Sequence, residues 1–178
     1  MKKLIAYFLT LLVFFNHSLL EASARESHVN LQKNSLAISV SFDAQGKLWR
    51  VAEKDGFIWV DASRDLGKTF SKPVQVNLTM QNIGADGEAR PQIAIGPEGN
   101  IYLTWTEKLK KPFSGYIWFS RSIDAGKTFE APIIVHQDRA ENARRFNLLN
   151  VSQDGDNKGS VTVTWVDKQD LIAAKVAR

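Results

Sequence analysis

Cysteine is absent from this sequence of 178 residues. That excludes a disulfide framework, a cysteine nucleophile and thiolate metal sites, so stability has to come from packing. Histidine is scarce. His28 and His136 stand too far apart to suggest a metal cluster, and each reads as a surface residue. No metal and no cofactor are expected. A strong excess of one charge is also missing: 23 Lys and Arg against 19 Asp and Glu leave a formal net charge of +4. The small clusters Lys108, Lys110, Lys111 and Arg139, Arg144, Arg145 read as solvated loop charge, not as a nucleic-acid-binding stripe.

Long apolar runs are nearly absent too. The one at the start, Leu4 to Phe15, follows Lys2 and Lys3 and precedes Ala22-Ser23-Ala24. This is the pattern of a secretory signal peptide cleaved after Ala24. The run is short of the roughly 20 residues of a spanning helix, so no stable span is expected after cleavage. Residues 1–24 are the expected leader and residues 25–178 the mature chain, which is long enough for one domain with its own core. The expected location is periplasmic or extracellular.

What the chain does have is a repeat. Ser63-Arg64-Asp65-Leu66-Gly67-Lys68-Thr69-Phe70 returns 59 residues later as Ser122-Ile123-Asp124-Ala125-Gly126-Lys127-Thr128-Phe129. From Gly56–Val76 to Gly115–Val135, 11 of 21 aligned positions are identical. A repeat at this spacing points to a repeat architecture. Phe57-Ile58-Trp59-Val60 and Tyr116-Ile117-Trp118-Phe119 are aromatic and β-branched, so they read as strands. Val74 to Val76 and Ile133 to Val135 read as their partners. The polar stretch between is a hairpin corner. Asp65 and Asp124 are placed to accept amides two residues on, Gly67 and Gly126 to take a positive φ, and Phe70 and Phe129 to cap the base.

Ser-x-Asp-x-Gly-x-Thr-Phe, twice and in register, resembles the Asp-box, or bacterial neuraminidase repeat, of sialidase-like β-propellers. The resemblance covers most of residues 35–178. It implies a rim position for the corners, away from a sugar site, so Ser63, Asp65, Gly67, Thr69 and Phe70, with Ser122, Asp124, Gly126, Thr128 and Phe129, are read as structural. A calcium loop is not indicated, because the ladder of oxygen ligands ending in Glu is missing.

Strands are expected at 37–42, 48–52, 57–62 and 74–76, four antiparallel strands that make one propeller blade. A second blade repeats the order at 93–95, 101–105, 116–119 and 133–135, with six residues added in the loop from Lys108 to Gly115. A third begins at 148–151 and 161–165, continues at 171–176, and ends before its corner, which would start at Ala177. The fold class is therefore all-β: a partial propeller with two complete blades and an unfinished third. By resemblance this is half of a six-bladed sialidase ring. End blades with open faces and edges predict self-association.

A propeller binds its ligand over the central channel, where loops enter the innermost strands. Arg90 stands there before the second blade, with Asp86 and Glu88 close by. Arg144 and Arg145 stand there before the third. Sialidases grip a substrate carboxylate with three arginines, a task suited to the bidentate guanidinium. Arg90, Arg144 and Arg145 are the ligand-binding candidates, and Arg90, Asp86 and Glu88 the weaker catalytic ones. The Tyr nucleophile and its Glu partner that the resemblance implies are not identifiable; Tyr102 and Tyr116 read as packing residues. Trp59 with Trp118, and Trp105 with Trp165, recur at equivalent positions and read as packing between blades. Two classes of function follow. One is a truncated or non-catalytic module that binds a glycan, such as a sialoside, or a protein. The other is an exo-α-sialidase-type hydrolase.

Overall fold

The computed structural model describes residues 37–168. The expected leader (1–24), the lead-in (25–34), the strand at 171–176 and the position of a third corner at Ala177 lie outside them.

Among the described residues all regular structure is β. The first sheet runs in chain order through β1 (Ile38–Phe42), β2 (Leu48–Lys54), β3 (Phe57–Ser63) and β4 (Val74–Gln75). The second repeats it with β5 (Gln92–Ile95), β6 (Ile101–Lys108), β7 (Gly115–Ser122) and β8 (Ile133–Ile134). The third holds β9 (Arg144–Val151) and β10 (Val161–Asp167). All pairings are antiparallel. The first strands of the sheets are neighbours, with β5 lying against both β1 and β9. Such sheets, stacked first strand to first strand, are the blades of a β-propeller.

Local chemistry explains the connections. Asp55 and Gly56 take φ of 55° and 81°, as a two-residue hairpin turn requires. The second sheet replaces this turn by the longer loop 109–114. Of the six added residues, four lengthen the loop and two extend the strands, since β6 and β7 have 8 residues each against 7 in β2 and β3.

The core lies between the first two sheets. Trp49, Val51 and Val60 from the first meet Ile93, Ile101 and Leu103 from the second. Trp105 is fully buried there; its indole Nε1 donates to Gln81 Oε1 at 2.9 Å, which meets the need of a buried indole N–H. It stacks on Trp118 within the same sheet, so that pair packs across neighbouring strands as well as between blades.

The two corners are held by the same bonds. Ser63 Oγ donates to Asp65 Oδ1 at 2.7 Å and accepts from the amides of Asp65 and Gly67. Asp65 accepts from Thr69 N at 2.9 Å and from Thr69 Oγ1 at 2.6 Å. Ser122, Asp124, Gly126 and Thr128 repeat this set. The expected amide two residues on is therefore taken by the serine, and the aspartate reaches four residues on. The reason is two left-handed residues in series, Leu66 and Gly67 (φ 60° and 87°), then Ala125 and Gly126 (59° and 78°). They curl the chain back over the carboxylate. The threonine hydroxyl foremost, then the amides, hold both carboxyls well below the usual carboxylate range. Phe129 packs against the core, whereas Phe70 lies against the Arg50 guanidinium, 3.6 Å from its ring centroid.

The third sheet departs from expectation. Its first strand begins at Arg144, four residues before Leu148. Thr164 pairs with Leu148 and Val166 with Arg145, so Phe146 and Asn147 together oppose Trp165. This is a β-bulge, with Phe146 at φ 59°. The bulge leaves the side chain of Asn147 buried between the second and third sheets. There Thr106 Oγ1 donates to its Oδ1 at 2.8 Å, and its Nδ2 donates to the carbonyls of Thr104 and Arg90. A buried polar group is tolerated when all its bonds are made.

Candidate functional site

The corners occupy the end of the sheets where Phe42, Leu48 and Ser63 pair. The chain enters its innermost strands at the opposite end, and the candidate residues gather there. The loop before β5 reaches β9 through the bond from Asn147 to the Arg90 carbonyl. The two arginine regions read from the sequence are thereby brought side by side.

They are not alike. Arg144 is buried, with 1% of its side chain exposed, and all three of its nitrogens are engaged. Nε donates to Asp167 Oδ2 at 2.8 Å, Nη2 to Asp138 Oδ2 at 2.7 Å and Nη1 to Ala140 O at 3.0 Å. Asp138 also accepts from Ala140 N and from Asn142 Nδ2. The Ala140 amide foremost, then the guanidinium, hold its carboxyl below the usual range. Arg144 thus fastens the loop 135–143 to β10. Both Arg144 and Arg145 lie in a strand, not in the loop where they were expected.

Arg145 and Arg90 remain. Arg145 is half-buried, with Cζ 4.9 Å from the Phe113 ring centroid. Its Nε is buried and has no hydrogen-bond partner among the described residues. Lys168 Nζ approaches the same ring at 5.4 Å. Phe113 itself is exposed, on the loop that the second sheet has and the first lacks. Arg90 is exposed and makes no ion pair among the described residues. Arg145 and Lys168 thus set two cations against an exposed aromatic ring.

The carboxylates named with Arg90 do local work. Asp86 Oδ1 accepts from the amides of Ala89 at 2.7 Å and Glu88 at 3.3 Å, closing its own turn. Glu88 is exposed. Tyr102 is buried against Phe119, and Tyr116 donates to the Arg139 carbonyl. No hydrogen bond joins either hydroxyl to a glutamate among the described residues. Nor do three His, Asp or Glu side chains converge there as metal ligands. Two clefts, of about 460 and 550 Å3, lie away from Arg90, Arg144 and Arg145, one along β4 beside the second corner and one between the corners.

His136 corrects an expectation. It is buried, not a surface residue. Nδ1 meets the Asp138 carbonyl at 2.6 Å and Nε2 accepts from Ile117 N at 3.3 Å, so the ring is neutral with its proton on Nδ1. Burial foremost lowers its pKa from the usual 6.5. Tyr116 and Trp165 flank it. Sequence reasoning missed His136, Asp138, Asn147 and Phe113. The available signal was the 59-residue offset, which sets His136 opposite Asn77.

No protein-family model matches the chain, and no curated protein matches it in sequence. Solved structures do match. The α-L-arabinofuranosidase Arb93A from Fusarium graminearum, with an iminosugar inhibitor, superposes with a TM-score of 0.55 at 17% identity, covering 76% of this chain and 41% of that one. The GH93 α-L-arabinofuranosidase of Fusarium graminearum with arabinobiose gives the same score and identity over 78% and 42%. A leech intramolecular trans-sialidase with 2,7-anhydro-Neu5Ac gives 0.40 at 17% identity over 72% and 24%. The chain spans about two fifths of the length of the arabinofuranosidases. At 17% identity the likeness to the arabinofuranosidases shows the fold alone, a β-propeller. It is represented among the described residues by two four-stranded blades and two strands of a third.

Proposed function

We propose that the chain is an exported, glycan-binding propeller module that recognises an acidic sugar at the end of the sheets carrying Arg90 and Arg145. The observation that carries this reading is the half-buried Arg145 guanidinium, without an ion pair among the described residues, against the exposed ring of Phe113. A guanidinium with a free donor offers a carboxylate a charge-assisted hydrogen bond, and the ring offers a sugar face an apolar surface. The glycosidase-type fold supports a carbohydrate ligand, as fold-level analogy. Arg144, already paired with two aspartates, holds the surface in shape and does not take the ligand.

Calorimetric titration with sialyllactose, a glucuronoside and arabinobiose tests it. Binding of an acidic sugar, weakened about tenfold or more in Arg145→Ala and by added salt, is expected. Equal affinity for arabinobiose, or no effect of Arg90→Ala and Arg145→Ala, would sink the reading. A fluorogenic sialoside should not turn over. Turnover lost in Arg90→Ala would establish the hydrolase alternative. Export rests on the leader pattern; mass spectrometry of the secreted protein should find Arg25 at its N-terminus, and an intact Met1 in a membrane fraction would overturn that.

A further inference from the structure

We propose that the cleft between the two corners binds a sulfate or phosphate monoester, with Lys47, Arg64 and Lys127 holding its charged group. The cleft, of about 550 Å3, lies at the end of the sheets opposite Arg90 and Arg145. Every segment lining it falls between Asp43 and Lys127, within the described residues. Each of three walls brings one cation: Lys47 from the turn between β1 and β2, Arg64 from the first corner and Lys127 from the second. None of them forms an ion pair among the described residues.

Local structure does not require the first two. Lys47 and Asn100 each precede a strand that pairs with a corner serine, Leu48 with Ser63 and Ile101 with Ser122. Both turns close with the same bond, from Asp43 N to Lys47 O at 3.0 Å and from Gly96 N to Asn100 O at 2.8 Å. Arg64 and Ile123 likewise follow those serines, in corners with matching bonds. An uncharged residue therefore serves at each place, yet the first sheet carries a cation at both. The two cations are close enough to repel. Burial foremost, then Arg64, lowers the pKa of Lys47 from the usual lysine value, and Asp43 offsets only part of this. Lys47 Nζ is held there all the same, 3.7 Å from the centroid of the Trp49 ring.

Two of the carboxylates lining the cleft are committed to their own turns. Asp43 accepts from Gln45 N, Lys47 N and Trp49 Nε1. Asp124 accepts from Ser122 Oγ, Lys127 N, Thr128 N and Thr128 Oγ1. Glu98, the third, is exposed and opposes an anion. Cations from three directions suit a group with three peripheral oxygens, whereas a planar carboxylate is matched by one guanidinium fork. The volume lies in the range of sites for small organic ligands, and exposed Ile123 gives the carrier of the charged group an apolar wall. The cleft stands apart from the acidic-sugar surface, so either reading can fail alone.

Calorimetric titration of the full chain at constant ionic strength tests it, with glucose 6-phosphate, glucose 6-sulfate, glucose and inorganic phosphate as ligands. Saturable binding of one or both esters, tighter than inorganic phosphate and absent for glucose, is expected; the tighter ester tells a phosphate site from a sulfate site. Lys47→Asn and Arg64→Ile copy the second sheet, which makes the same turn and corner with those residues, and far-ultraviolet dichroism checks that folding survives. Each is expected to weaken binding about tenfold, the loss of one charge-assisted hydrogen bond, and Glu98→Gln to tighten it. Amide shifts in nuclear magnetic resonance are expected to centre on the two corners and the turn that holds Lys47. No saturable binding, an affinity unchanged in both cation variants, weaker binding in Glu98→Gln, or shifts centred on Arg145 would overturn the proposal. Ester binding no tighter than that of inorganic phosphate would overturn the monoester assignment.

Discussion

Asn77 and His136 stand at the same position in successive blades and do the same work. Each places a side-chain acceptor on the third strand of its sheet: Asn77 Oδ1 on Ile58 N at 2.6 Å, His136 Nε2 on Ile117 N at 3.3 Å. The fourth strand is too short in both sheets to do this. A buried amide left unpaired would cost about 1–3 kcal/mol, so the acceptor is required even where its chemistry differs.

The difference makes the second blade sensitive to acid. Protonation of Nε2 would turn the acceptor into a donor facing a donor. The folded-state pKa of His136 lies below 6.5, so the unfolded chain binds the proton first. Its contribution is complete above about pH 6.5 and is lost as pH falls from there through the lower folded value. Thermal melts between pH 7.5 and 5 should show Tm falling in the wild type and a flatter profile in His136→Asn. Parallel profiles would refute this role.

The corners titrate lower. Their carboxyls are depressed by bonds to the charged form, so what they contribute is present above about pH 3.8 and lost as pH falls below it. Asp65→Ala and Asp124→Ala should each lower Tm at neutral pH and weaken its dependence on strong acid. Asp86→Ala, which opens only a local turn, should change Tm less. Loss of sugar binding at unchanged Tm would show that the corners are not structural.

Arg50 and Asp61 are cross-strand partners, both buried, with Nε donating to Oδ1 at 2.8 Å. The second sheet holds Leu103 and Ser120 at these places, paired in the same register. Removing one ion from a buried pair strands the other, so Asp61→Ala should cost about 3–5 kcal/mol in urea unfolding. The double change Arg50→Leu with Asp61→Ser copies the second sheet and should be neutral to stabilising. A double variant as unstable as Asp61→Ala would show that the ion pair was not the cause.

Gly67 and Gly126 share a sequence position and a positive φ, but not surroundings. A Cβ on Gly126 would sit 2.6 Å from the Trp49 ring, whereas on Gly67 the nearest atom, of Leu48, is at 3.7 Å. Both alanine variants should lose about 1–2 kcal/mol to backbone strain. Gly126→Ala should lose more, by displacing Trp49 from the core. Calorimetric melts that rank the two equally would contradict the observed packing.

Much of the architecture was legible in the chain. Strand order, blade count and corner positions followed from two kinds of local signal: the period of apolar residues and the glycine and aspartate of tight turns. The corner bonds themselves were read two residues short, because sequence marks a glycine as left-handed but not the Leu66 or Ala125 before it. The site was less legible. Arg90, Arg144 and Arg145 were equivalent as letters in a loop, and only the structure separates the buried one, held by Asp138 and Asp167, from the two with donors to spare.

Sequence by itself determined that the chain would fold as repeated four-stranded β sheets, since each sheet closes through contacts near in sequence. Tertiary structure alone decided that β9 bulges, that Asn147 and His136 are buried, and which arginine is spent. Those outcomes depend on contacts between sheets tens of residues apart, where burial and partner geometry set a side chain's role and no local pattern records them.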